Sequence, residues 1–421
     1  MVTRRGVHRP PRTPWVLGVR PTTVVAMEPI RLAGPADVLA VLPYQLGYHP
    51  SESLVAIALH ERQIGLVERI DLSPQDAVED ACTALVPPLL REEPDAVLLV
   101  GYESRPGDAL PLADAVRDAL VAADVPVLDR LVVRDGRWYA PDCDHGCCPS
   151  VGHEQDVPRD VPAVAQFVAL EVAPLPGRES LAQLVAADPS RTPAVAAALE
   201  DIGARADGRS FGGRAVAVHR LRHLATWAKV LDVAGADQFR GAFELGPEEV
   251  ALLVAGLRDV ELRDAVIAWV CPGTLPFDAL SVDLVDALHS CLPEPAWLQG
   301  GGERAAVGGR RVLSRLQAVA RAVPDDDCAA VLTVLANLAW WLGDGALTRV
   351  ALDRALQHHP GYRLARLLER MVDLGVRSRP AAEPPPRHGF GSVPGGLTRR
   401  GRPPPSGPVS GRAGHLDPGL V

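Results

Sequence analysis

The sequence predicts an N-terminal α/β domain with a mixed sheet, in the order β-β-α-β-α-β-β. An all-α domain ending in a tetratricopeptide-like helix hairpin follows, and both termini are disordered. Three observations predict this. Short apolar runs alternate with helical patterns up to about residue 155, and from Val161 onward apolar residues recur only at helical spacing. The ends, 1–27 and 376–421, are dominated by Pro, Gly and Arg. At 421 residues the chain is long enough for two cored domains, placed at 28–158 and 159–375.

Taken in order, Pro35 suits the first turn of a short helix that Gly47 and Pro50 end. "SLVAIALH" reads as a buried strand, and "ERQ" turns it into "IGLVERIDL", where Ile64, Leu66, Glu68 and Ile70 share a face. In "SPQDAVEDACTALVPPLLR" Ser73 is the expected N-cap, with Asp76 completing a capping box. "DAVLLVG" is a second buried strand, and Asp108 is the expected cap of "ALPLADAVRDALVAA". Asp135-Gly136 then turns "VPVLDRLVVR" into a short return strand. Beyond Val161, "PAVAAALEDIGARA", "PEEVALLVAGLRD" and "GGRRVLSRLQAVARAV" read as amphipathic helices. Gly343, Ala355-Leu356 and Pro360 have tetratricopeptide-like spacing, with no second copy at that period.

Composition removes several functions. Of 43 basic residues only Lys229 is lysine, and it lies in an apolar helical pattern, so a P-loop and a protein-kinase lysine are both missing. There is no G-x-S-x-G, H-E-x-x-H or G-x-G-x-x-G between strand and helix; "GYESRPG" is a weak echo of the last. The formal charge of −9 is uneven: each end carries +5, so the middle carries −19, which disfavours nucleic acid on the folded part. No secretory signal and no membrane-spanning run is legible, Met27 is an alternative start to Met1, and a soluble cytoplasmic protein with reduced cysteines is expected.

Three segments carry candidate chemistry. In "CDHGCCPSVGH", Cys143, His145, one of Cys147 or Cys148, and His153 offer soft ligands for tetrahedral zinc. The spacing also admits a redox-responsive thiol cluster or an inert turn, since neighbouring cysteines tend to point apart. In "PYQLGYHPSES", Tyr44, Gly47, His49, Glu52 and Ser53 gather at the entry to a buried strand, where α/β folds place ligand contacts; backbone capping is the plainer role. Arg263 and Asp264 are expected to form structural ion pairs, each with a partner elsewhere, because adjacent helical residues do not face each other. Of Trp340 and Trp341, one should be core and the other should face outward, marking a groove for a protein partner.

"LAGPADVLAVLPYQLGYHPSESLVAIAL", the "CCP" followed by Gly152, "LRDAVIAWV" and "LAWWLGDGALTRVALDRALQHHPGYRLARLL" together resemble an actinobacterial family characterised only as a domain of unknown function. The resemblance spans about residues 30–373 and implies an intracellular protein without an assigned activity. That family has a glutamate before the glycine after C-C-P, where this chain has Val151. The reading is a ligand- or protein-binding protein, with the α/β domain sensing ligand and the helical domain contacting a partner. The alternative is a metal- or thiol-dependent hydrolase or transferase built on residues 143–153.

Overall fold

The computed structural model describes residues 17–19, 30–61, 63–144, 146–155, 161–206, 213–233, 243–295, 298 and 303–377. The described residues belong to one compact unit; residues 378–421, with most of the expected disordered tail, lie outside the described residues, as do Met27 and His145.

The two apolar runs become β3 (Ser53–His60) and β5 (Ala96–Tyr102), which pair antiparallel at the centre of an eight-stranded mixed sheet. β4 (Gln63–Asp71) returns from β3 through a tight hairpin with Glu61 at φ 46. β6 (Val127–Arg134) lies parallel to β5 and turns at Asp135-Gly136 into β7 (Arg137–Tyr139). Both turn residues have positive φ, 50 and 71, as a two-residue hairpin of this twist requires.

Three short strands were not expected. β1 (Leu17–Val19), within the segment read as disordered, and β2 (Ile30–Leu32) extend one edge, and β8 (His153–Glu154) extends the other. Strands of two or three residues leave too little periodicity to recognise. The order is β2-β1-β4-β3-β5-β6-β7-β8.

Helices α1 (Pro35–Leu46), α2 (Val78–Arg91) and α3 (Leu110–Ala122) are interleaved with these strands. Two expected caps do not form. Pro74 is extended at ψ 154, a 3-10 turn occupies 75–77, and the Ser73 hydroxyl donates instead to the Asp71 carbonyl at 3.5 Å. At α3 no side chain of Asp108 caps the helix; the Glu103 carboxylate accepts from the backbone N–H of Gly107 and Ala109. A carboxylate reaching back from the strand end satisfies those donors before a local cap is needed.

Along β3, side chains alternate between two cores. Leu54, Ala56 and Ala58 pack with Leu85, Leu89, Leu112 and Val116 of α2 and α3. Val55, Ile57 and Leu59 face a larger cluster continuous with the helical half. Burial on both faces explains the unbroken apolar runs.

The helical half comprises α4 (Pro162–Ala169), α5 (Arg178–Gln183), α6 (Thr192–Ala206), α7 (Gly213–Leu231), α8 (Pro247–Gly256), α9 (Val260–Val270), α10 (Val282–Cys291), α11 (Glu303–Ala322), α12 (Cys328–Leu342), α13 (Gly345–His358) and α14 (Arg363–Asp373). α12 is buried almost all round, from Cys328 to Leu342, and is the axis on which the others pack. Gly343 closes it at φ 85, and the Asp344 side chain caps α13 through the Leu347 N–H at 2.9 Å. Gly309 lets α11 approach α12 closely, since a Cβ there would lie 2.9 Å from Leu342.

Glu68, on the β4 face turned to α2, is desolvated, and its carboxyl is pushed up to about 7 despite Arg349 nearby. An acid held there when folded, and near 4.3 when unfolded, binds more protons in the native state between those values. Stability attributable to it therefore falls as pH rises through that window. Glu68→Gln should raise stability by about 2 kcal/mol at pH 8 and leave it almost unchanged at pH 4, as read by urea unfolding at the two pH values.

Candidate functional site

The larger core is interrupted by a cleft of about 430 Å³, within the size range of small-molecule sites. Its walls come from segments far apart in sequence. The C-terminal turn of α1 supplies Tyr44 and Gly47, α4 and the segment after it supply Phe167, Glu171 and Leu175, and α11 supplies Arg310, Leu313 and Gln317. The turn between α12 and α13 contributes Asp344. Tyr44 and Phe167 pack with ring centroids 5.7 Å apart, and Leu181, Leu184 and Leu342 extend the apolar lining.

Two adjacent arginines clamp α4 to α11. Arg310 Nε donates to the Leu170 carbonyl at 2.8 Å, and Arg311 pairs with Glu171 at 3.1 Å. Glu171 is held at φ 59, a conformation that a non-glycine residue adopts only where its surroundings impose it. Arg310 itself has no carboxylate at ion-pairing distance among the described residues, and its Nη2 is buried without a hydrogen-bond partner. Burial pushes the guanidinium pKa down, while the more distant charges of Asp344 and Glu171 oppose this. Burial raises the Asp344 carboxyl, against the Leu347 N–H and Arg310.

The "PYQLGYHPSES" residues divide. Tyr44 and Gly47 line the cleft, Gly47 at φ 78 ending α1. The loop is stitched to the helical half by a parallel bridge between Tyr48 and Leu175, the His49 N–H reaching the Leu175 carbonyl at 2.9 Å. The His49 side chain is exposed and lines no part of the cleft. Glu52, at φ 41, accepts from the Ser104 hydroxyl. Ser53 is fully buried in the sheet beside Tyr102, and neither hydroxyl has a hydrogen-bond partner among the described residues.

In the β7–β8 connection, Cys143, Cys147 and Cys148 converge, their sulfurs all within 4.8 Å of one another. Cys143 and Cys147 Sγ are 3.3 Å apart, Cys147 and Cys148 3.9 Å. Both neighbouring cysteines therefore turn to one centre, against the expectation that only one could; Gly146 at φ 68 makes the turn that allows it. Burial, with the adjoining thiols, pushes Cys148 up to about 12, the opposite of an activated nucleophile. His153 does not join them. It stacks on Trp138 at 4.2 Å, and three strands separate it from Ser53 in one row across the sheet, roughly 19 Å away. No cleft-lining residue comes from β5 to β8, so the thiols and the cleft are separate places.

The expectation that Arg263 and Asp264 pair elsewhere is corrected. Arg263 folds back onto its neighbour through Nε and Nη2, at 2.9 and 2.7 Å, because its long side chain spans what adjacent Cβ positions do not. Nη1 reaches the Tyr362 hydroxyl at 3.3 Å and so ties α9 to the start of α14. Trp341 is core and donates to the Pro272 carbonyl; Trp340 is partly buried, its Nε1 donating to the Val376 carbonyl at 2.8 Å, so its ring is engaged by the chain itself.

At the C-terminal end of β5, where α/β folds present backbone N–H groups to anions, Glu103 fills the position. Its side chain, 1% exposed, takes Gly107 and Ala109 N–H and pairs with Arg134 at 2.5 Å. The weak glycine-loop echo in "GYESRPG" is thus a cradle occupied by the chain's own carboxylate.

Sequence reasoning missed Arg310, Phe167, Glu171 and Asp344. One signal was present, the Gly308-Gly309 pair inside a helical pattern just before Arg310, which marks a close helix approach.

A mixed α/β sheet whose second face is covered by a helical array with a ligand-sized cleft defines the class of this protein. The chain belongs to the family described as Domain of unknown function (DUF4192), which it matches over residues 35–295 and 301–379. No curated protein and no solved structure matches it. Among the described residues no helix is long and apolar enough to cross a membrane.

Glu103→Gln should lower stability by about 2 kcal/mol in urea unfolding, because it removes a buried charge partner of Arg134 and leaves part of the cradle poorly satisfied.

Proposed function

We propose that the protein binds a small amphipathic anion, an apolar body bearing one acidic group, in the cleft between α1, α4, α11 and the α12–α13 turn. The observation that carries this reading is Arg310, a half-buried cation without an ion-pair partner among the described residues, in a cleft that it lines with Tyr44, Phe167 and several leucines, and whose carboxylates are Glu171, already paired with Arg311, and Asp344, whose carboxyl burial raises. A cation so placed is poorly compensated, and a carboxylate or similar acid in the cleft relieves it, while the apolar lining takes up the ligand body. Tyr44 and Gly47 come from the sheet half and Arg310 from the helical half, so a bound ligand would bridge them. The reading is binding and not catalysis, because the thiols stand apart from the cleft. A cytoplasmic setting belongs to the same proposal, resting on the seven cysteines read as reduced thiols or ligands.

The test is a fluorescence titration of the full chain with 1-anilinonaphthalene-8-sulfonate, an aromatic body with one acid group, followed by displacement with decanoate. One saturable site is expected, with Arg310→Met weakening it about 10-fold while the fold, followed by circular dichroism, persists. Non-saturable binding, or equal affinity in the variant, refutes the reading.

A further inference from the structure

The β7–β8 connection has little to hold it by packing. Between Ala140 and Gly152 the described side chains are exposed or only partly buried, and Val151 is 67% exposed. Its two ends are nevertheless fixed. Asp142 takes a two-pronged pair from Arg130, with both contacts at 2.6 Å. Gly152 sits so close to Tyr139 that a Cβ would lie 2.6 Å from the ring, and its carbonyl accepts from Arg137 at 3.0 Å. Between these anchors three sulfurs point at one another.

The spacing of those sulfurs is informative. A tetrahedral ion with metal–sulfur bonds of about 2.3 Å sets its sulfur ligands about 3.8 Å apart. The observed separations of 3.3 and 3.9 Å, none beyond 4.8 Å, bracket that edge. A disulfide would need about 2.05 Å for one pair and would leave the third sulfur without a role.

We propose that Cys143, Cys147 and Cys148 bind one soft divalent ion of the zinc class as three thiolates, each giving up its proton to water as its sulfur–metal bond forms. The fourth position belongs to water or to an added ligand, on the side where Cys147 is exposed. The ion acts as a structural clasp, holding the connection so that β8 can pair with β7 through Arg137–Glu154 and Trp138–His153. This site is independent of the anion cleft, so each can fail without the other.

The test uses the untagged full chain, freed of metal under reducing conditions and titrated with Co²⁺ and then Zn²⁺. One equivalent of Co²⁺ should give tetrahedral d–d bands with thiolate-to-cobalt charge transfer, and Zn²⁺ should displace it. Cys143→Ser, Cys147→Ser and Cys148→Ser should each weaken binding by at least about 10-fold. Cys291→Ser, on α10, should leave it unchanged. Absence of the charge-transfer band in the reduced wild-type chain, binding unaffected by the three variants, or an octahedral cobalt spectrum each overturns the proposal. Isolation as a Cys143–Cys147 disulfide that binds no metal after reduction does so as well.

Discussion

The structure depends on a sheet that is apolar on both faces. β3 and β5 alternate side chains between two cores, yet α2 and α3 cover only one of them. An uncovered face carrying Val55, Ile57, Leu98 and Val100 would expose a large apolar patch, so the helices that follow Val161 have to pack against it. One continuous buried cluster from Leu32 to Leu368 is the result. The cleft opens within that cluster, where helices of round cross-section meet the turn that leads into β3.

Where the segments meet, arginine does much of the joining. Arg354 is 8% exposed and donates to the carbonyls of Val185, Ala320 and Val323 while pairing with Asp325 at 2.8 Å. Arg315 reaches three carbonyls at the end of α7 and the residues after it. A planar fork with five donors suits such places, because it satisfies several backbone acceptors from one side chain, which a lysine ammonium does less well. Against this pattern Arg310 stands out, since among the described residues its Nε has the Leu170 carbonyl while its Nη2 is buried without a partner. The thiol cluster is the complementary case, a segment poor in apolar packing whose order the sulfurs could supply.

Legibility followed the range of the interaction. The strand runs and the Asp135-Gly136 hairpin are local and could be read directly. Ser73 and Asp108 were misjudged as caps because the competing partners, an extended Pro74 and the Glu103 carboxylate, act through loop geometry that residue type does not reveal. Trp340 was expected to face outward, but the C-terminal segment near Val376 returns to it from 36 residues away. Cys147 and Cys148 were expected to diverge, and a left-handed glycine one position before them brought both inward.

From the order of residues alone came the division into a sheet half and a helical half, the exclusion of lysine-dependent phosphate sites, and the two segments where polar and sulfur chemistry concentrates. These follow from periodicity, composition and spacing, which are properties of neighbouring residues. Which of those residues share a cavity was settled by folding. Tyr44 and Arg310 are 266 positions apart and line one cleft, whereas Ser53 and His153, both read as candidate site residues, were set apart by three intervening strands. Packing of the second sheet face chose those neighbours, and its energy is spread over many small apolar contacts that no single motif encodes.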